Sequence, residues 1–361
     1  MIQNSQICKT SQTGIYFYDL TSDSALFDYG SLQMMRPASV MKIITAVAAL
    51  HKLGGKYKYH TELLCNGTVT DSTLNGDLYI KAGYDPCFGG SDMLAFIDAL
   101  KNNGIKSING KIITDISLKD TTRLGHGWLW NWEKDERPLT PLLFNSYNTF
   151  MEKFFDSMDF NGISHPASYE TGIVPENNTI SLCQRYHTID EVLLHMLKQS
   201  DNQYAESLFF QLGALDKHPY ATYRHSAQHI LDFIQNELKE DPDLYSIYDG
   251  SGLSVYDCVS PKLIVKLLRY SYTHKNIHNH FYPSLPIGGE DGTLAHRMKT
   301  PSLIGNVHAK TGSVRRVVTL AGYCTAPDGH DIAFAIFHNG IYSSRQARNW
   351  DDHLLELLTR N

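Results

Sequence analysis

The chain has 361 residues, more than one domain usually holds, so its length favours about two domains sharing a surface. A hydrophobic content of 42% with 11% aromatics supplies a large core and excludes wholesale disorder. The formal net charge of -6 and the lack of any Lys/Arg run exclude a nucleic-acid footprint, and the longest apolar-to-small run, 43–50, is too short to span a bilayer.

In chain order, the first ten residues, MIQNSQICKT, carry no apolar signal core. Residues 13–20 and 25–29 read as two strands around a Thr-Ser-Asp-Ser turn. Pro37 and Ala38 then open a helix over 39–53, closed by Gly54-Gly55. Val40, Ile43, Ile44, Val47, Ala48 and Leu50 make it apolar on nearly every face, the mark of a helix buried inside a domain.

From 56 to 143 the character changes. Short strand-like pieces at 63–64, 77–81 and 110–114 alternate with Asn75-Gly76 and Asn109-Gly110 turns, with one helical pattern at 91–102. Residues 151–183 read as irregular and polar, a boundary or connection. Helical periodicity resumes at 188–199 and 202–215. Strand-like runs at 314–325 and 331–339 join through Pro327-Asp328-Gly329, and 344–359 reads as a last amphipathic helix. The six cysteines (Cys8, Cys65, Cys87, Cys183, Cys258, Cys324) form no CxxC pair, and their even number permits disulfides without requiring them. The pattern predicts a split α/β (α+β) domain, an antiparallel sheet flanked by helices, interrupted by a mainly β insert.

Three short motifs carry chemistry. Ser39 and Lys42, at i and i+3, share one face near the start of the buried helix. A desolvated lysine is pushed toward its neutral form, and a neutral amine beside a hydroxyl can take its proton and make serine a nucleophile. A helix cap with a snorkelling lysine is the simpler account of an isolated S-x-x-K. Ser200-Asp201-Asn202 lies between two helical patterns: its hydroxyl can relay a proton and its amide can pair with a peptide, although all three residues also suit an N-cap. Lys310-Thr311-Gly312-Ser313 opens the run toward Tyr323, with a lysine and two hydroxyls to hold a carboxylate and a glycine that permits close approach. A K-T-G triplet is expected by chance only ~0.1 times in such a chain. The order S-x-x-K, S-x-N, K-T-G, each in a matching setting, is what turns three weak signals into one strong signal.

With these motifs in place, the chain resembles the D-alanyl-D-alanine carboxypeptidase/endopeptidase family, the class C low-mass penicillin-binding proteins. RPASVMKIITAVAAL is similar to that family's nucleophile helix, and RYHTIDEVLLHMLKQSDNQYAESLF to its S-x-N helices. GDLYIKAGYDPCFGG, INGKIITDISL, GHGWLW, YDGSGLS, LPIGGEDGTLAHRM, HAKTGSVRRVVTLAGY and DIAFAIFHNG follow the family order. The resemblance implies a penicillin-recognising, transpeptidase/β-lactamase-like fold. It makes Ser39 the acylated nucleophile, Lys42 its base and Ser200 a proton shuttle. Asn202, Lys310, Thr311 and Ser313 would bind substrate, with the backbone N–H groups of Ser39 and Ser313 as the oxyanion hole. The implied substrates are peptidoglycan stem peptides and the implied covalent inhibitors β-lactams, with no cofactor and no metal. A substrate outside the cytoplasmic membrane implies a periplasmic or extracytoplasmic location and a leader that has been removed.

Domain limits of 1–60 with 176–361 for the catalytic unit and 61–175 for the insert follow from the same pattern. The insert is short for the family, and Val255 stands where arginine usually follows SGLS. Two other functions share the fold. A serine β-lactamase of the S-D-N class would need a deacylating carboxylate loop, and Glu176-Asn177-Asn178 has the wrong spacing for one. A non-catalytic scaffold would be expected to lose a hydroxyl or lysine from the set. His274, His278 and His280 could be read as metal ligands, but HKNIHNH fits a polar loop or solvated helix end better. Trp128 and Trp130 are expected to pack inside the insert.

Overall fold

The structure, a computed structural model, describes residues 5–129, 137–216 and 218–360; Trp130 lies outside them. Five strands form one antiparallel sheet in the order His308–Val314, Val317–Thr325, Asp331–Asn339, Gln12–Asp19, Ser24–Tyr29. The two ends of the sequence thus pair directly, with Gln12 opposite Asn339 and Asp19 opposite Ile332. Successive side chains of a strand point to opposite faces, and both faces of this sheet are covered. Ala333, Ala335 and Phe337 face the core around the serine helix, while Ile332, Phe334 and Ile336 face the C-terminal helix Ser344–Thr359 through Leu354 and Leu355.

The helix Met41–Leu53 lies in the first of these cores, with residues 41–50 all buried. Complete burial of Ile43, Ile44 and Val47 contributes roughly 1.5–3 kcal/mol for each side chain. Gly54, at φ 79°, closes it. Around this helix pack Ile189–Lys198, Asn202–Gly213, Tyr223–Asn236, Pro261–Thr273 and Lys275–Phe281. Thr188 and Glu191 cap the first reciprocally, Thr188 Oγ1 accepting from the Glu191 N–H and the Glu191 carboxylate from the Thr188 N–H.

Between residues 58 and 188 the chain builds two further sheets. The larger runs Ile180–Thr188, Lys58–Cys65, Leu78–Lys81, Ile112–Asp115, Glu170–Thr171, and the smaller joins Thr68–Thr70, Thr73–Asn75 and Ser107–Ile108. Leu78–Lys81 and Ile112–Asp115 are parallel, bridged by the helix Gly90–Asn102. Phe88, Phe96, Phe150 and Phe154 belong to a hydrophobic cluster separate from that of the serine helix. The strands that leave and re-enter the main body, Lys58–Cys65 and Ile180–Thr188, pair with each other.

Several elements differ from the sequence expectation. Residues 151–183 are not irregular: they hold most of the helix Phe150–Phe160 and the start of the strand Ile180–Thr188. Phe150, Met151, Phe154 and Met158 form a buried stripe that Glu152, Lys153 and Asp156 hide in any average of polarity. K-T-G does not simply open the following strand; it sits within its own edge strand, turned into the next through Arg316 at φ 63°. Ser39 lies in a 3-10 turn, Ala38–Val40, ahead of the α-helix proper. Trp128 packs against the core around the serine helix, not within the insert, because its Nε1 donates to Asp249 Oδ2 at 2.8 Å.

Candidate active site

Ala38, at φ 46°, takes a left-handed conformation that an alanine adopts only under constraint, just before Ser39. The constraint is close packing. Gly252, at φ 83°, lies so near that a Cβ there would stand 1.9 Å from the Ala38 carbonyl oxygen. Thr319 Oγ1 donates to the Pro37 carbonyl at 2.7 Å. The turn carrying Ser39 is therefore clamped between the SGLS turn and the sheet.

Lys42 is completely buried, and its Nζ lies 3.0 Å from Ser39 Oγ, 2.7 Å from Asn202 Oδ1 and 2.9 Å from the Ser251 carbonyl. Its side chain thus ties the first motif to the second. The second pair is Lys310 and Ser200. Lys310, also fully buried, donates to Ser200 Oγ at 2.8 Å and to the Thr311 carbonyl at 2.7 Å. Burial, helped by the positive charge of Lys42, pushes the Lys310 amine well below the ordinary lysine range. Ser200 itself is left-handed, at φ 60°, as the chain turns from one helix into the next.

The edge strand comes close to the serine turn because Gly312 lacks a side chain. A Cβ there would stand 2.1 Å from Thr319 Oγ1, 2.9 Å from the Pro37 carbonyl and 3.0 Å from the Ser39 nitrogen. Thr311 Oγ1 donates to Thr293 Oγ1 at 2.8 Å, and Ser313 Oγ accepts from Arg348 Nη2 at 3.1 Å. Ser39, Lys42 and Asn202 form one bonded set, Ser200, Lys310 and Thr311 another. Gly312 brings the strand that bears Lys310, Thr311 and Ser313 against Ser39. Val255 lies beside this region with its N–H bonded to the Gly127 carbonyl at 3.2 Å.

Sequence reasoning gave Asp201 as an N-cap candidate, which the structure bears out, and assigned no role to the other neighbours. Asp201 caps the Asn202–Gly213 helix by accepting from the Gln203 and Tyr204 N–H groups, and Arg137 Nη2 meets the same Oδ1 at 2.8 Å. Burial alone would raise its pKa, but His195 and Arg137 outweigh that and hold it at about 2. Asp249 gathers the N–H groups of Ser251, Gly252 and Ser254 at 3.1, 2.6 and 2.7 Å, shaping the turn whose carbonyl meets Lys42. Glu206 is buried beneath, pushed up to about 8 by burial and by the charge of Asp249. Thr293 lies in the short 3-10 turn Gly292–Leu294, and the preceding Asp291 carboxylate accepts from Lys198 at 2.6 Å and from the Ile287 N–H at 2.8 Å. Asp201 and Thr293 lie within the family-like segments RYHTIDEVLLHMLKQSDNQYAESLF and LPIGGEDGTLAHRM, whereas Arg137 and Arg348 carry no local signal.

The His274, His278 and His280 side chains go separate ways. His274 Nδ1 meets the Tyr270 carbonyl, His280 Nδ1 meets Asp190, and His278 sits among Tyr272, Tyr282 and Tyr323. All six cysteines are unpaired.

Against known proteins, the pattern of the D-Ala-D-Ala carboxypeptidase 3 (S13) family matches residues 1–137 and 133–361. The D-alanyl-D-alanine carboxypeptidase DacB of Haemophilus influenzae is 26% identical over 91% of this chain and 86% of its own length. A D-alanyl-D-alanine carboxypeptidase of Actinomadura sp. is 23% identical over 91% of this chain and 78% of its own. Among solved structures, penicillin binding protein 4 (dacB) from Haemophilus influenzae superposes with a TM-score of 0.88 at 23% identity, over 98% of this chain and 97% of that one. A penicillin G acylated predatory endopeptidase from Bdellovibrio bacteriovorus gives 0.66 at 18% identity, over 96% and 93%. With its sheet, its serine turn and its three motifs in family order, the chain belongs to the D-Ala-D-Ala carboxypeptidase 3 (S13) family of serine hydrolases, on the penicillin-recognising fold.

Proposed function

We propose that the chain is a serine D,D-peptidase that cleaves D-Ala-D-Ala-type bonds of peptidoglycan stem peptides through an acyl-enzyme, as carboxypeptidase, endopeptidase or both. The observation that carries this reading is the Lys42 amine within 3.0 Å of Ser39 Oγ and 2.7 Å of Asn202 Oδ1. Ser39 Oγ attacks the scissile carbonyl and passes its proton to Lys42. The carbonyl oxygen gains negative charge between the Ser39 and Ser313 N–H groups. The tetrahedral adduct collapses, the C–N bond breaks, and the departing D-Ala amine receives a proton by way of Ser200. Water then attacks the ester, returning the hydroxyl to Ser39 and releasing the shortened peptide. Asn202 pairs with the peptide amide. Lys310, Thr311 and Ser313 receive the terminal carboxylate at the edge strand.

The same chemistry makes β-lactams covalent inhibitors, since the lactam carbonyl replaces the scissile amide. Peptidoglycan lies outside the cytoplasmic membrane, so the place of work is extracytoplasmic; among the described residues no helix is long and apolar enough to cross a membrane. The catalytic unit comprises residues 1–60 and 176–361, with 61–175 as an accessory unit. A separate accessory unit is supported by the hydrophobic cluster around Phe96 and Phe154, although the strand Ile180–Thr188 completes that unit's sheet and carries it past residue 175. Incubation with purified peptidoglycan fragments, read by mass, should show loss of terminal D-Ala or conversion of cross-linked dimers to monomers. Neither change, from protein whose Ser39 still takes up penicillin, would overturn the reading.

A further inference from the structure

The turn between the helices Asn202–Gly213 and Tyr223–Asn236 carries a histidine–carboxylate cluster that the peptidase chemistry does not use. Asp216, His218 and His225 each present one donor atom, and these atoms all lie within 4.8 Å of one another. His225 sits in the first helical turn, its N–H bonded to Thr222 Oγ1 at 3.3 Å. Its Nδ1 is buried and has no hydrogen-bond partner among the described residues, an arrangement that costs stability unless something satisfies the nitrogen. The His218 ring stacks on that of His225 at 4.1 Å, tilted by 13°. His229, one helical turn further on, meets Asp216 Oδ1 through its Nε2 at 3.1 Å.

We propose that Asp216, His218 and His225 bind a divalent transition-metal ion of the zinc class. Two imidazole nitrogens and one carboxylate oxygen suit zinc, nickel or copper, whereas magnesium and calcium prefer oxygen alone. His229 plays the part of an outer partner that orients the ligating carboxylate. Donors around tetrahedral zinc stand about 3.3 Å apart, given metal–nitrogen bonds of about 2.0–2.1 Å. Ligation requires His218, which is exposed, to swing out of its stack on His225 so that its lone pair joins the other two donors, now within 4.8 Å. The far end of the turn is fixed, since Ala221 donates to the Leu118 carbonyl at 2.8 Å and accepts from the Asp120 N–H at 2.9 Å. The ion would therefore staple the turn that follows the Asn202 helix, a structural role separate from acylation.

The test uses the full chain, stripped with a chelator and titrated with Co²⁺, whose visible bands report tetrahedral nitrogen and oxygen ligation, then with Zn²⁺ to displace it. The result expected is one ion per chain with a raised Tm. His218→Ala and His225→Gln should each weaken binding at least about tenfold, while both still take up penicillin at Ser39 as evidence of folding. No binding at about 100 μM metal would overturn the proposal. So would binding that remains unchanged when His218→Ala and His225→Gln are combined. The readout is the metal itself, so failure here is distinct from failure of the peptidase reading.

Discussion

A hydroxyl becomes a useful nucleophile when a neighbour removes its proton, and the neighbour of Ser39 is a lysine that water does not reach. Ser39→Ala should abolish covalent penicillin labelling while leaving circular dichroism and Tm close to those of the parent; label found on any other serine would be incompatible with the assignment. Lys42→Ala should lower the acylation rate by several orders of magnitude, and Lys42→Arg should not restore it, because a guanidinium stays protonated. Rapid-mixing labelling with a fluorescent penicillin measures both. Glu206 makes a prediction about stability. A carboxyl whose folded pKa, about 8, stands above its unfolded value of about 4.3 stabilises fully at low pH, and that contribution is lost as pH rises toward 8. Glu206→Gln should therefore show a smaller fall in Tm between pH 5 and pH 8 than the parent, read by thermal denaturation across that range.

At the scale of elements, the approach of the edge strand to the serine turn depends on one missing Cβ. Gly312→Ala places a methyl 2.1 Å from Thr319 Oγ1 and 3.0 Å from the Ser39 nitrogen. The Thr319 hydroxyl can rotate only by giving up its bond to Pro37, so the strand His308–Val314 must shift instead. A displacement of about 1 Å in a reactive geometry can cost about 10²-fold in rate. Acylation should fall by roughly that factor while the five-stranded sheet survives, which parallel measurements of labelling rate and Tm would show. The motif was legible in the sequence as K-T-G; its strand was not placed correctly. Val314 to Thr325 reads as one strand-like run, and only the pairing of Val314 with Val317 fixes the turn at Arg315-Arg316. The helix Phe150–Phe160 escaped for another reason: four buried positions on one face do not stand out when the opposite face is acidic.

At the scale of the whole molecule, Arg137, from the stretch between residues 58 and 188, links that part of the chain to the S-D-N turn through Asp201. Asp201 has a folded pKa of about 2, below the unfolded value of about 3.9. Its contribution to stability is thus present above about pH 3.9 and lost as pH falls through about 2. Arg137→Ala should lower Tm at neutral pH, and the gap to the parent should narrow on acidification toward pH 2 as the carboxylate protonates in both proteins. Thermal scans of the pair at several pH values check this; a gap that stays constant would mean that Arg137 acts by packing against Tyr147 instead.

What the sequence by itself determined is the local chemistry and much of the periodic structure. The last helix is read at 344–359 and found at Ser344–Thr359, because its apolar stripe and its Ser343 cap are both local signals. The terminal hairpin, the buried serine helix and the three motif positions are legible for the same reason: each is written in a handful of adjacent residues. The tertiary structure alone decided the partners. Lys42 meets Asn202 across 160 positions and Lys310 meets Ser200 across 110. Arg348 reaches Ser313 and Arg137 reaches Asp201 without any pattern in the chain to announce them. A side chain's periodicity records which face is buried, but the atom it meets there depends on how whole elements pack, and that is settled only when the sheet closes and the helices dock on it.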